Sequence, residues 1–91
     1  MPSLKVVLYG TCWCSDCVRS KHLLQRAHVS YTEIDIEEVA NAEGAMKALN
    51  GGSGKVPTIL IESKHRRDIL VEPSDPELKA ILEAHRTEPS S

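Results

Sequence analysis

A chain of 91 residues, 41% hydrophobic and 26% charged, has room for one small domain with a single core. Its net charge of −2, with both signs interspersed, excludes the electrostatic footprint of a nucleic-acid or anionic-membrane binder. The aromatics are Tyr9, Trp13 and Tyr31, so the core must be aliphatic. The start, Met1-Pro2-Ser3-Leu4-Lys5, runs straight into a strand pattern. It has no signal-peptide character, and no apolar run is long enough to span a bilayer. Cys12, Cys14 and Cys17 lie too close together to staple a secreted framework, so a reducing cytoplasm is the expected setting.

In chain order, Lys5 to Tyr9 is a continuous apolar run, the pattern of a strand buried on both faces. Gly10-Thr11 breaks it. From Cys17 onward, Ser20, Leu23, Leu24 and Ala27 follow helical spacing. Arg19, His22 and Arg26 fall on the other side as a solvated basic face. His28-Val29-Ser30 should end that helix, and Tyr31 to Ile36 alternates as a second strand. A second helix is expected over about Val39 to Leu49, with Glu37-Glu38 near its positive end. Gly44 would weaken it, and Asn50-Gly51-Gly52-Ser53-Gly54 would stop it through a left-handed glycine cap.

Val56-Pro57-Thr58-Ile59-Leu60-Ile61 reads as a third strand opened by proline. Glu62 to Asp68 reads as a polar turn, with Lys64-His65-Arg66-Arg67 a solvated tip, and Ile69-Leu70-Val71 as a short fourth strand closing a hairpin. A last helix should follow, with Ser74 or Asp75 as N-cap, Pro76 in its first turn, and Leu78, Ile81 and Leu82 facing inward. The order β-α-β-α-β-β-α makes strands one and two parallel and the last two antiparallel. The fold class is α/β, a four-stranded mixed sheet with helices on both faces. Residues 1–86 are expected to form one domain and 87–91 a flexible tail.

Chemistry concentrates in Thr11-Cys12-Trp13-Cys14-Ser15-Asp16-Cys17. Cysteines three apart at a strand-to-helix junction share a helix face and can approach across one turn. The first, Cys14, would sit where unpaired backbone N–H groups and the helix dipole favour a thiolate over a thiol. Helix-start sites of this kind bring a thiol from roughly 8.5 to about 3.5–7.5. A bare C-x-x-C also fits two inert buried thiols or half a zinc site. The flanking strand and helix favour a redox pair, and no second C-x-x-C or H-x-x-x-H follows at zinc spacing.

With Cys14-Ser15-Asp16-Cys17 after the first strand and Val56-Pro57-Thr58 before the third, the chain resembles a glutaredoxin over nearly its whole length. Thr11 and Trp13, Asn50-Gly51-Gly52 and Pro73-Ser74 make it most similar to the mycoredoxin-type branch, which pairs with low-molecular-weight thiols. The resemblance implies a thioredoxin-like fold and a thiol-disulfide oxidoreductase, with Cys14 as nucleophile and Cys17 as resolving thiol. It implies a cis Val56-Pro57 bond abutting Cys14, and substrate contacts from Thr11, Trp13, Val56, Pro57, Ser74 and Asp75.

The same resemblance implies no bound cofactor or metal and a small thiol of the mycothiol or glutathione type as co-substrate. Its expected partners are disulfide-bearing or thiolated proteins, with that thiol or a flavoprotein reductase as electron donor, and the chain is expected to be a monomer. The sequence departs from the common pattern at three places. Thr11 stands where a Lys or Arg is usual, Ser15-Asp16 replaces Pro-Tyr, and Glu72-Pro73 replaces Gly-Gly. Asp16 should oppose the helix dipole at Cys14. Trp13 is expected to form a lip of the site or else a partly buried core aromatic. Cys12, two residues from Cys14, is expected to be a bystander, a secondary redox partner or a metal ligand. In the competing reading, Cys12, Cys14 and Cys17 would ligate iron–sulfur or another metal in a carrier protein.

Overall fold

The computed structural model describes residues 4–87. Strand β1 (Lys5–Gly10) leads into helix α1 (Ser15–Arg26), strand β2 (Thr32–Asp35) and helix α2 (Ala42–Asn50). Strands β3 (Thr58–Glu62) and β4 (Arg67–Val71) form a hairpin, and helix α3 (Asp75–Arg86) follows. The sheet order is β2-β1-β3-β4, with β1 and β2 parallel and the β1–β3 and β3–β4 pairs antiparallel. This is the expected α/β architecture.

The register pairs Val6 with Ile61 and Leu8 with Ile59, so these four share one face of the sheet. They pack with Leu23 and Leu24 of α1 and Leu78 and Leu82 of α3 in one aliphatic cluster. Each fully buried side chain of this kind is worth about 1.5–3 kcal/mol. On the opposite face Val7 lies across from Leu60, and α2, with Met46 fully buried, packs on that side toward β4. Helices therefore do cover both faces.

Local signals set the helix ends. The left-handed His28 (φ 57) follows the last turn of α1, and the Val29 N–H reaches back to the Leu24 carbonyl at 3.0 Å. Gly51 (φ 78) caps α2, with the Gly52 N–H on the Lys47 carbonyl at 2.8 Å, as the glycine run predicts. Ser74 caps α3 in a reciprocal capping box with Glu77, and Pro76 sits in the first turn.

Several boundaries differ from expectation, and β3 begins at Thr58 and not at Val56, so the cis Val56-Pro57 bond lies in the loop before the strand and does not open it. Helix α2 starts at Ala42, three residues late, because Asp35 organises the preceding turn. Its carboxylate accepts the Glu37 N–H at 2.8 Å and its carbonyl accepts those of Glu38 and Val39. Asn41 then turns left-handed at φ 66, so Glu37-Glu38 lie outside the helix and Glu43 is the acid in its first turn. Strand β2 is shorter than Tyr31–Ile36 and does not alternate in burial, since it is an edge strand paired to β1 alone. Strand β4 starts earlier, at Arg67, which pairs with Glu62 in register and by an ion pair of 3.1 Å. The polar turn therefore shrinks to 63–66. Thr87 closes α3, and the rest of the expected tail lies outside the described residues.

Candidate active site

Strand β1 ends at Gly10, and the chain loops through Thr11-Cys12-Trp13 to deliver Cys14 in extended conformation (φ −83, ψ 117) as the N-cap of α1. Its Sγ accepts the Cys17 N–H at 3.2 Å. A cap side chain normally takes one of the orphan donors of the first turn. Here sulfur does so, in the place a side-chain oxygen usually takes.

Cys17 faces inward and is completely buried. A Cβ built on Gly10 would lie 2.7 Å from its Sγ, so only glycine lets the strand pass this thiol. Burial pushes the Cys17 thiol up from 9.0 to about 12, aided by the hydrogen bond with Cys14 and resisted by a backbone hydrogen bond from Thr11. The two thiols thus differ in kind: one caps a helix at the surface edge, the other holds its proton in the core.

The Val56-Pro57 bond is cis, and the Val56 carbonyl lies 3.8 Å from Cys14 Sγ. The loop before β3 is pinned by Thr58 Oγ1, which donates to the Lys55 carbonyl and accepts from the Asn50 amide, both at 3.0 Å. Behind it, the Glu72 N–H reaches the Pro57 carbonyl at 2.8 Å, which brings the approach to α3 alongside. Arg19 completes the frame. Its guanidinium donates to Asp75 Oδ1 at 2.6 Å, Asp16 Oδ1 at 3.3 Å and the Pro73 carbonyl at 3.2 Å. The two carboxylates hold the guanidinium above its usual pKa, Asp75 foremost.

Several expected site residues therefore come together, with corrections. Trp13 is 69% exposed and donates its Nε1–H to Glu37 at 2.9 Å, so it is a surface aromatic and not part of the core. Thr11, expected to touch substrate, is only 3% exposed, and its hydroxyl has no hydrogen-bond partner among the described residues. Asp16 is paired with Arg19, which also holds Asp75 and so is no idle part of a solvated face. Arg19, Gly10 and Glu37 were not singled out by sequence. The Asp16–Arg19 spacing of three was the one legible clue. Cys12 is exposed while Cys14 and Cys17 are buried. Among the described residues, no group of three or more His, Cys, Asp or Glu is placed to hold a metal ion.

The glutaredoxin family model matches residues 6–66, most of the chain, including both Cys14-Ser15-Asp16-Cys17 and Val56-Pro57. The chain belongs to the glutaredoxin family. A glutaredoxin-named protein of Mycobacterium tuberculosis is 34% identical over 82 residues, covering 90% of this chain and 94% of its own. The glutaredoxin of Pseudomonas aeruginosa is 47% identical over 62 residues, covering 66% of this chain and 70% of its own. Among solved structures, the Archaeoglobus fulgidus glutaredoxin matches with a TM-score of 0.69 at 21% identity, covering 85% of this chain and 84% of that one. Thioredoxin O2 of Arabidopsis thaliana matches at 0.67 and 20% identity, covering 89% and 73%. These two likenesses bear on the fold, which is thioredoxin-like. As a glutaredoxin the protein is a thiol-disulfide oxidoreductase, of a family that acts on protein disulfides with a thiol donor and needs no prosthetic group. Among the described residues, no helix is long and apolar enough to cross a membrane.

Proposed function

We propose that this glutaredoxin works as a Cys14/Cys17 dithiol in the cytoplasm, reducing disulfides of proteins and their mixed disulfides with a small thiol of the mycothiol or glutathione type. The observation that carries this reading is the Cys17 N–H on Cys14 Sγ at 3.2 Å, which seats that sulfur at the start of α1 with the second thiol one turn behind it. The Cys14 thiolate attacks one sulfur of a disulfide and expels the other half as a thiolate, leaving a mixed disulfide on Cys14. Cys17 then surrenders its proton and attacks Cys14 Sγ. This expels the second thiolate and forms the Cys14–Cys17 disulfide. Two thiol equivalents return the two electrons and leave as their own disulfide. A second small thiol can instead clear the mixed disulfide directly.

Cys17 begins with its proton held, and part of that hold comes from Cys14 itself. Capture of a substrate sulfur neutralises Cys14 and removes that part, so the resolving thiol becomes easier to ionise when it is needed. Val56, whose carbonyl lies beside the sulfur, and the exposed Trp13 would line an extended substrate, with Pro57 as floor and Ser74 and Asp75 at the far edge.

The test is turnover by variants with small thiols and a flavoprotein reductase supplied side by side. Cys14→Ser should abolish turnover, and Cys17→Ser should retain activity only with the small thiol. Full activity without Cys14 would sink the reading. The metal-carrier alternative predicts visible absorbance from anaerobically purified protein, whereas a plain dithiol enzyme should be colourless.

A further inference from the structure

We propose that the buried hydroxyls of Thr11 and Ser20 are a donor pair for the Cys17 sulfur, turned onto it when it ionises to displace the captured substrate. The inference rests on the dithiol reading above and adds two residues to its second step.

Among the described residues, the buried side-chain polar atoms without a hydrogen-bond partner are Thr11 Oγ1 and Ser20 Oγ. Leaving a hydroxyl dry and unpaired costs stability, and a methyl of similar size would avoid that cost. Both stand beside the same thiol. Thr11 follows Gly10, the residue whose built Cβ would meet Cys17 Sγ, and its backbone reaches Cys17 by a hydrogen bond. Ser20 lies one turn after Cys17 on the inward face of α1, ahead of Leu23 and Leu24. Side chains three apart on a helix are neighbours. A serine inside a helix commonly returns its hydroxyl to the carbonyl a turn back, and Ser20 does not.

Resolution gives these groups a task. Cys17 loses its proton to solvent and its sulfur bonds to Cys14 Sγ. The bond from Cys14 to the substrate sulfur breaks, and its electron pair leaves on the departing thiolate. Capture of substrate lifts the part of the hold on the Cys17 proton that Cys14 exerts, but burial, the larger cause, stays. A charge appearing in a dry site is favoured by dipoles already beside it. The charged and titratable groups acting on Cys17 are Cys14 ahead of it and Lys21 a turn further along α1, the latter held by Glu33 of β2 at 2.8 Å. Neither hydroxyl is committed elsewhere among the described residues, so each has its proton to donate to a thiolate at Cys17.

The experiment takes the full reduced chain carrying Cys12→Ser, which keeps the exposed thiol from consuming reagent, and mixes it with dipyridyl disulfide. Attack by Cys14 releases one pyridinethione in a phase that scales with reagent. Resolution by Cys17 releases a second at a rate independent of reagent. Thr11→Val should slow the second phase about tenfold, the worth of a hydrogen bond to a charged group. It should also move the pH profile of that phase upward by roughly one unit, with the first phase unchanged and the denaturant midpoint no lower. Thr11→Ser, which keeps the hydroxyl, should restore the rate. Ser20→Ala should slow the same phase, and it carries the comparison if Thr11→Val does not fold. A second phase unchanged in both variants, or both phases slowed alike, would overturn the proposal. If the parent releases no second equivalent, the dithiol reading falls and takes this one with it.

Discussion

Gly10 and Cys17 are in contact: a Cβ on Gly10 would lie 2.7 Å from Cys17 Sγ, 3.3 Å from its Cβ and 3.1 Å from Leu8 Cδ2. All three are fully buried core atoms with nowhere to yield, so the end of β1 and the second thiol are fitted to one another. Gly10→Ala should cost about 1–3 kcal/mol of stability, as overpacked cores do. It should also slow resolution of a mixed disulfide on Cys14. Denaturant midpoints and a single-turnover assay check both, and an unshifted midpoint would show that the contact is not tight.

Gly44 gives the opposite sign. It sits inside α2, exposed, with nothing within 4 Å of a built Cβ. Gly44→Ala should stabilise the protein by about 0.5–1 kcal/mol, by restricting the unfolded chain and favouring helix. The two substitutions measured together separate backbone entropy from packing.

Cys17 makes stability depend on alkaline pH. Its folded-state value of about 12 lies above the 9.0 of a free thiol, so the folded protein keeps a proton that the unfolded chain gives up. That contribution is complete below the unfolded value and is lost as pH climbs toward the folded one. The stability difference between reduced wild type and Cys17→Ala should therefore shrink from neutral pH to ~11, where the unfolded chain alone has ionised. At neutral pH iodoacetamide should modify Cys17 last of the three thiols.

His85, in the last turn of α3, is fully buried with Ser63 Oγ 2.6 Å from Nδ1 and Asp68 Oδ2 2.8 Å from Nε2. A carboxylate can only accept, so Nε2 carries the proton. Arg66 chiefly, and His85 after it, holds the Asp68 carboxyl below its usual range. The contact latches α3 to the β3–β4 hairpin at the end of the sheet remote from Cys14, since Lys5 pairs with Glu62 there. His85→Ala should cost about 2–3 kcal/mol, chiefly through the bond to a charged group. Turnover of the folded fraction should be unchanged. Stability owed to Asp68 should vanish as pH falls below the carboxylate range, and Asp68→Asn should remove that acid dependence.

Periodicity made the elements legible. The apolar run at Lys5, the Cys17–Ser20–Leu24 stripe, the Asn50-Gly51-Gly52 stop and the Ser74–Glu77 spacing each carry their structure within a few residues, and each is found in place. The start of α2 departs from the periodicity because Asp35 and Asn41 divert the backbone by hydrogen bonding and a left-handed turn, neither of which disturbs the apolar pattern. By spacing alone Arg19 is one of three basic side chains on a wet helix face. Its partner Asp75 lies 56 positions away, beyond the reach of any local pattern.

The sequence by itself determined that two thiols share one turn at a helix start, because spacing along the chain and backbone geometry alone put them there. It also determined which side of each helix is apolar, and so the layered fold. Packing between distant segments decided the rest. It set the Val56 carbonyl beside Cys14, buried Thr11 and left Trp13 out, and spent Arg19 and the first turn of α3 on internal partners. Those outcomes depend on which surfaces meet once the sheet has closed, a property of three-dimensional contact that no stretch of sequence holds alone.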